Sequence, residues 1–261
     1  MKTAEPDGER PVPAGWRTIP RGIWALGFVS LFMDTSSELI HSLLPVFLVS
    51  VIGASALSVG LIEGVAEATA SITKVFSGTL SDYLGKRKML TVIGYGLAAL
   101  TKPMFPLAGS AAWIFTARFL DRIGKGIRGA PRDALIGDIA PSHLRGACYG
   151  LRQSLDTVGA FAGPLLAVAF MVLLANDIQA VFWIAVIPAF ISVAILILAV
   201  KEPQTTRPPG DSKGEARSPI QFQDLHQVGA PYWWLVIVGA VLALARFSEA
   251  FLVLRAENVG L

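Results

Sequence analysis

The sixteen-residue stretch RFLDRIGKGIRGAPRD, from Arg118 to Asp133, decides the fold because it carries seven charged side chains within a strongly apolar chain. At about 100° per residue of helix, all seven charges fall within a sector of about 140°. The opposite side of such a helix carries Phe119, Ile123 and Ile127. One face can therefore contact lipid or other helices while the other faces a polar interior.

The composition of the whole chain predicts a membrane protein. Its 261 residues are 53% hydrophobic and 16% charged, and the mean hydropathy is +0.58, unlike an ordinary soluble domain. A bilayer needs about 20 helical residues to be crossed, and apolar segments of that length lie near 23–51, 55–78, 89–109, 111–138, 146–174, 179–200 and 232–254. Because these segments do not alternate polar and apolar residues, we predict an all-α, polytopic membrane protein.

The positions of Lys and Arg predict that the charged fourth segment spans the membrane. In that case the loop 79–88, the surroundings of Arg145 and the linker 201–231 lie on the same side as the amino terminus, and the opposite loops 52–56 and 175–178 contain no Lys or Arg. A non-spanning loop would divide the basic clusters between the two sides, against the positive-inside rule. We therefore predict that the chain lies in the inner (plasma) membrane of the cell with its amino terminus in the cytoplasm. The chain then divides into a cytoplasmic tail (1–22), a six-helix bundle (23–200), a cytoplasmic linker (201–231) and the first helix of a second bundle (232–261).

Charges inside membrane spans are costly and indicate functional positions. On the first predicted helix, Asp34, Glu38 and His41 share one face, and Pro45 can bend the helix beyond them. Two neighbouring acids disfavour simultaneous ionisation, so Asp34 and Glu38 are candidates for binding and releasing a proton during transport. The candidates for lining a substrate cavity are His41, Glu63, Glu67, Arg118, Arg122, Lys125, Arg152 and Asp156.

A purely structural interpretation of the same charges stays open. The cationic ridge of the fourth helix would be neutralised by Glu63, Glu67 and Asp156 in an ion-pair network that holds the bundle together. If the ridge is not neutralised, Arg118, Arg122 and Lys125 would instead favour an anionic or zwitterionic cargo.

Several other classes of function are disfavoured. Gly124, Gly126 and Gly129 form a G-x-G-x-x-G pattern, but a dinucleotide site needs a preceding strand, and close helix packing explains these glycines better. The single cysteine, Cys148, provides no disulfide or paired-thiol metal site, and the net charge of +3 requires no nucleic-acid partner. The sequence contains no catalytic motif, and residues 228–261 contain no lysine for a retinal Schiff base. We therefore expect neither an enzyme nor a cofactor or metal.

The segment GTLSDYLGKRK, Gly78 to Lys88, resembles the cytoplasmic loop signature of the major facilitator superfamily. The residues that match this signature are Gly78, Leu80, Asp82, Gly85, Lys86 and Arg87. Tyr83 departs from it, since a basic residue is usual there. Physically, Gly78 permits a close helix contact, Gly85 permits a tight reversal, and Asp82 can accept hydrogen bonds from a helix amino terminus or an arginine.

A second resemblance lies in DTVGAFAGPLLAV, residues 156–168. Gly159, Gly163 and Pro164 are similar to the G-x-x-x-G-P pattern of proton-driven exporters in this superfamily, although Ala167 and Val168 stand where two further glycines are usual. The alternative is a small-residue packing face with a proline kink.

The resemblance to this superfamily implies a transporter of two halves with six helices each. The sequence predicts seven of these twelve helices. The resemblance implies secondary transport of a small molecule, most simply its export in exchange for protons. Uptake or uniport of a small solute is the alternative. Because a rocking mechanism needs both halves, a chain of this length is expected to be a piece of a longer transporter, to need a partner half, or to be a fragment that does not transport.

Overall fold

The computed structural model describes residues 18–202, 229–245 and 248–259. Most of the predicted amino-terminal tail (1–22) and of the predicted linker (201–231) lies outside these ranges. Every regular element within them is a helix, as the sequence predicts. The α-helices are α1 (Arg21–Val46), α2 (Ala56–Leu84), α3 (Arg87–Thr101), α4 (Ala111–Ile139), α5 (Arg145–Leu173), α6 (Ile178–Ala199), α7 (Ala230–Ala245) and α8 (Glu249–Asn258).

Local chemistry fixes several helix ends. Ser55, Ser110 and Asp177 precede α2, α4 and α6, and each side chain accepts a hydrogen bond from a backbone N–H in the first turn, at 3.0–3.3 Å. Gly85 ends α2 with a φ of +63°, a left-handed conformation that glycine adopts without strain. The tight reversal predicted at this glycine is therefore confirmed.

The carboxyl-terminal end of α1 is irregular. Pro45 lies within the helix, and the backbone then continues as a π-helical turn from Phe47 to Val51. Because proline has no backbone N–H to donate, the regular hydrogen bonding of α1 is interrupted at Pro45. Such π-helical turns are often found at functional positions.

Glycines allow the helices to approach closely. On α5, a Cβ atom added to Gly159 would lie 2.5 Å from the carbonyl oxygen of Leu31, and one added to Gly163 would lie 2.6 Å from the Cβ of Glu38. On α4, a Cβ at Gly124 would lie 2.8 Å from the carbonyl oxygen of Gly94, and one at Gly126 would lie 2.5 Å from the Cβ of Thr73. The G-x-G-x-x-G pattern therefore serves the packing of α4 against α3 and α2, as predicted.

Two apolar clusters form the core, one toward each end of the bundle. The first surrounds Leu44, Phe47, Phe105 and Phe182, where aromatic rings meet edge to face. The second surrounds Leu26, Met33, Tyr95 and Leu196, at the end where α1 begins and α6 finishes. The charged side chains of α1, α2 and α4 lie mainly between the two clusters.

Among the described residues, three helical stretches are long and apolar enough to cross a membrane by length and composition. They are Arg21–Val51, Ser142–Leu173 and Ile178–Ala199. The helices α2 and α4 are each 29 residues long, which is also sufficient length, but both carry several charges. The charges of α4 point inward: Arg118, Asp121, Arg122 and Arg128 are buried, which confirms the polar inner face predicted for this helix.

The continuous helix expected over 232–254 is two helices, α7 and α8. Ser248, between them, accepts a hydrogen bond from the backbone N–H of Ala250 at 3.3 Å. Ala250 and Leu254 of α8 belong to the first apolar cluster, and Phe251 approaches Gly60 of α2. The α7 side chains of residues 231–243 are all exposed, so this helix offers its apolar surface to lipid or to further helices.

Candidate functional site

The candidate site is a layer of charged side chains inside the bundle. Glu63, Arg118, Arg122 and Arg128 are at most 4% exposed, which requires that their charges be matched by neighbours. These four residues lie on α2 and α4, and further charged side chains of the layer come from α1 and α5.

A three-residue cluster joins α1, α2 and α4. Arg118 donates two hydrogen bonds to the Glu63 carboxylate, from Nε to Oε1 at 3.1 Å and from Nη2 to Oε2 at 2.7 Å. His41 Nε2 lies 3.0 Å from the same Glu63 Oε2 and also contacts Arg118 Nη2. We call His41, Glu63 and Arg118 the histidine triad.

Glu38 lies beside this triad on α1. Its carboxylate is 3.7 Å from Nδ1 of His41, and its backbone packs against Gly163 of α5. Lys125 of α4 is close enough to act on Glu38 electrostatically but forms no ion pair within the described part of the chain. Lys125 is also exposed, unlike the arginines before and after it on the same face.

Asp34 has a different partner from the one that the sequence suggests. Its carboxyl group lies close enough to that of Asp156 on α5 for the two to interact, whereas Glu38 is next to His41. Two neighbouring carboxyl groups can share a hydrogen bond only if one of them carries a proton, so a proton bound between Asp34 and Asp156 would join α1 to α5. The structure therefore brings Asp34 and Asp156 together and gives Glu38 a separate environment.

Basic side chains surround this carboxyl pair. Arg152 donates to Asp156 at 2.7 Å from one turn earlier on α5, and Arg128 of α4 lies 4.0 Å from Asp34. The guanidinium of Arg128 stacks over the ring of Tyr95, 4.4 Å from its centre. An added proton would therefore change the balance of charge among α1, α4 and α5.

Ion pairs neutralise part of the cationic ridge of α4, as the structural interpretation of these charges predicts. Arg118 pairs with Glu63, and Arg122 pairs with the exposed Glu67 at 3.3 Å. Asp156 pairs with Arg152 on its own helix rather than mainly with the ridge. Two buried guanidinium nitrogens, Arg122 Nε and Arg128 Nη1, have no hydrogen-bond partner among the described residues.

Lys102 is a buried charge that sequence reasoning missed. It is 1% exposed, follows α3 directly, and donates to Asp121 of α4 at 3.0 Å and to Ser37 of α1 at 2.9 Å. The signal was present, since this lysine lies inside the predicted span 89–109. Its partner could not be chosen from the sequence because the relative position of α3 and α4 depends on how closely their glycines meet.

The loop motif forms an ionic link at one end of the bundle. Arg87 lies between Asp82, at 3.5 Å, and Asp138 at the end of α4, at 2.5 Å, and it also donates to the carbonyl of Ala134 at 3.2 Å. A Cβ at Gly78 would be 3.3 Å from the Cβ of Ala130, so α2 and α4 also touch there. The motif therefore fixes the ends of α2, α3 and α4 relative to one another.

The sequence matches the model of the Major Facilitator Superfamily over residues 26–256. An uncharacterized MFS-type transporter of Methanocaldococcus jannaschii is 32% identical over 244 residues, which are 93% of this chain and 58% of that protein. A protein named multidrug resistance protein MdtH, from Photorhabdus laumondii, is 29% identical over 191 residues, which are 72% of this chain and 46% of that protein. The chain thus spans 46–58% of the length of these two curated relatives.

Solved structures agree on the fold. The crystal structure of a peptide transporter, POT, in complex with alafosfalin matches with a TM-score of 0.66 and 19% sequence identity. The match covers 92% of this chain and 49% of that one. At this level of identity the likeness shows a shared fold alone.

Proposed function

Because the chain belongs to the major facilitator superfamily, a family of integral membrane transporters of small molecules and not of enzymes, we propose that its protein exports a small organic molecule in exchange for protons. The protein lies in the plasma membrane with its amino terminus in the cytoplasm. The relative named as a multidrug resistance protein agrees with the outward direction. The loop link of Asp82, Arg87 and Asp138 then lies on the cytoplasmic side.

The observation that carries this proposal is the carboxyl pair of Asp34 and Asp156. It lies where α1 and α5 meet through Gly159 and Gly163, the residues similar to the exporter pattern. Pro164 follows within α5. A proton held between two carboxyl groups can be released when the two helices move apart, which supplies a physical link between proton transfer and a change of conformation.

The cargo is an organic anion that contacts Lys125. Glu63 and Glu67 pair with Arg118 and Arg122, so these two arginines are less available to a ligand than the sequence alone suggests. The Lys125 residue is exposed and lies close enough to Glu38 to act on it electrostatically. A lysine that forms no ion pair within the described part of the chain can bind a carboxylate, and that pairing offsets the desolvation of both ions.

The test uses cells that make the full-length protein and are loaded with p-aminohippurate, an organic anion, or ethidium, an organic cation. We expect faster release of p-aminohippurate than from control cells, and a protonophore should abolish the difference. Asp34→Asn should also abolish it because the carboxyl pair can no longer exchange its proton. Asp177→Asn is the matched control, since asparagine caps a helix as well as aspartate does at this exposed position.

The other outcomes separate the alternatives. Accumulation above the control level would indicate uptake, and release that a protonophore leaves unchanged would indicate uniport. Release of ethidium alone would retain the exporter and reject the anionic cargo. Proton-dependent release that is the same in Asp34→Asn and in the natural protein would overturn the role of Asp34.

A further inference from the structure

The histidine triad contains a set of contacts that one protonation state cannot satisfy. Nε2 of His41 lies within hydrogen-bonding distance of Glu63 Oε2 and of Arg118 Nη2. The guanidinium can only donate, and an ionised carboxylate can only accept. Toward Arg118, Nε2 must therefore be an acceptor without a proton, whereas toward Glu63 it must be a donor with one.

The protons on the two ring nitrogens of His41 therefore select between two arrangements. When the single proton of the neutral ring is on Nδ1, beside Glu38, Nε2 accepts a hydrogen bond from Arg118, and Nε2 and Glu63 Oε2 are two facing acceptors. With protons on both ring nitrogens, His41 donates from Nε2 to Glu63, and the Arg118 contact becomes one between two donors that are both positively charged. The second Arg118 bond to Glu63, from Nε to Oε1, remains in either arrangement.

The surroundings of His41 allow it to bind a proton. Its side chain is 26% exposed, whereas those of Glu63 and Arg118 are 5% and 3% exposed, so the ring is the member of the triad that water reaches best. The charged groups around the ring are Glu38 from α1, Glu63 from α2 and Arg118 from α4. Arg122 and Lys125 of α4 act on Glu38 from farther away.

We propose that His41 is a second proton-binding residue of the transporter and that its protonation releases Arg118 Nη2 from α1. Imidazole is the side chain whose ordinary change of charge falls between about pH 5 and 8. Because the triad joins three helices, the change of partner alters the contact of α4 with α1 while α4 keeps its bond to α2. This inference rests on the proposed proton-coupled transport, but His41 itself can be observed without any cargo.

The first experiment is nuclear magnetic resonance of the protein with ¹⁵N-labelled histidine, followed from about pH 5 to 8. The 261 residues contain three histidines. The signals of His41 are those lost in His41→Gln, and the signals of the exposed His143 are those lost in His143→Gln. We expect His41 Nε2 to change from an acceptor to a protonated donor as the pH is lowered. Glu63→Gln should suppress that change because the added proton loses its charged acceptor.

Two results would overturn the inference. The ring nitrogens of His41 could stay in one state across the range, or they could change identically in the natural protein and in Glu63→Gln. Either result would make the triad a fixed structural contact. Retention of a folded, monodisperse protein in each variant is checked by circular dichroism and size-exclusion chromatography.

A transport measurement then separates this inference from the proposed function. The pH profile of p-aminohippurate release should flatten in His41→Gln and keep its shape in His143→Gln. If Asp34→Asn abolishes proton dependence while His41→Gln leaves the profile unchanged, the role of His41 is rejected and the exporter stands. If the natural protein transports neither p-aminohippurate nor ethidium, the proposed function fails. The resonance titration then still decides whether His41 binds a proton.

Discussion

At the scale of single residues, the main constraint is that a buried charge needs a partner. Lys102 shows this most clearly, since its ammonium group lies within hydrogen-bonding distance of Asp121 and Ser37 in a site closed to water. Taking either ion out of water alone costs several kcal/mol, whereas the pair and its hydrogen bond offset much of that cost. The pair therefore specifies how the end of α3 meets α4 more than it adds net stability.

Lys102→Met should destabilise the protein strongly because Asp121 would remain buried without its cation. We expect the free energy of unfolding to fall by about 3–5 kcal/mol. The double variant Lys102→Met with Asp121→Leu should recover most of this loss, since no charge is then left unpaired. Denaturant unfolding in detergent measures both, with the exposed Lys201→Met as the control. A double variant as unstable as the single one would contradict the explanation.

How far the sequence predicts the site depends on the residue. The inward face of α4 follows from its helical spacing alone, because seven charges on one side leave no other arrangement in a membrane. The pairing of Asp34 with Asp156 does not follow, since those residues lie on different helices and become neighbours only through the contact at Gly159. The missing partners are all long-range contacts of this kind, for which a periodic pattern carries no information.

At the scale of helices, close glycine contacts set the packing of α1 on α5. Membrane helices gain little from the hydrophobic effect between one another, so close approach and van der Waals contact must hold them together. The approach of Gly159 to the carbonyl of Leu31 leaves no space for a methyl group, and backbone atoms cannot rotate out of the way. Sequence reasoning placed the glycines correctly on the fifth helix but could not say which helix they meet.

Gly159→Ala should destabilise the bundle by about 1–3 kcal/mol, the usual cost of overpacking. Gly150→Ala on the same helix is the matched control, because nothing lies within 4 Å of a Cβ added there. That control should be neutral or more stable by up to about 1 kcal/mol, since alanine is the better helix former. Thermal unfolding in detergent compares the two, and equal effects would show that the close approach at Gly159 carries no energetic weight.

At the scale of the whole molecule, basic residues collect at one end of the bundle. Arg21, Lys86, Arg145 and Lys201 lie where α1 begins, where α2 gives way to α3, and where α5 begins and α6 ends. The loops at the other end, including 105–110 and 174–177, carry no Lys or Arg. The break between α7 and α8 is the element that hydropathy alone did not predict, because an apolar sequence does not specify where a helix is interrupted.

Thiol labelling of intact cells tests the resulting orientation. In a background with the buried Cys148 replaced by Ser, Gly109→Cys should react with a membrane-impermeant maleimide added outside, since Gly109 is exposed at the end of the bundle opposite the basic residues. Lys201→Cys should react only after the membrane is permeabilised. The reverse labelling pattern would place the amino terminus outside, against the positive-inside rule.

The ion pairs of α4 also have a consequence for biosynthesis. At the centre of a membrane helix, each charged residue raises the free energy of insertion by the translocon by about 2.5–3.5 kcal/mol. The insertion of α4 by itself is therefore unfavourable. Its partners Asp34, Glu63, Glu67 and Lys102 all precede it in the chain and are synthesised first. The nascent helix therefore meets its counter-charges on leaving the translocon, and the order of residues along the gene makes insertion of the most charged helix depend on the helices before it.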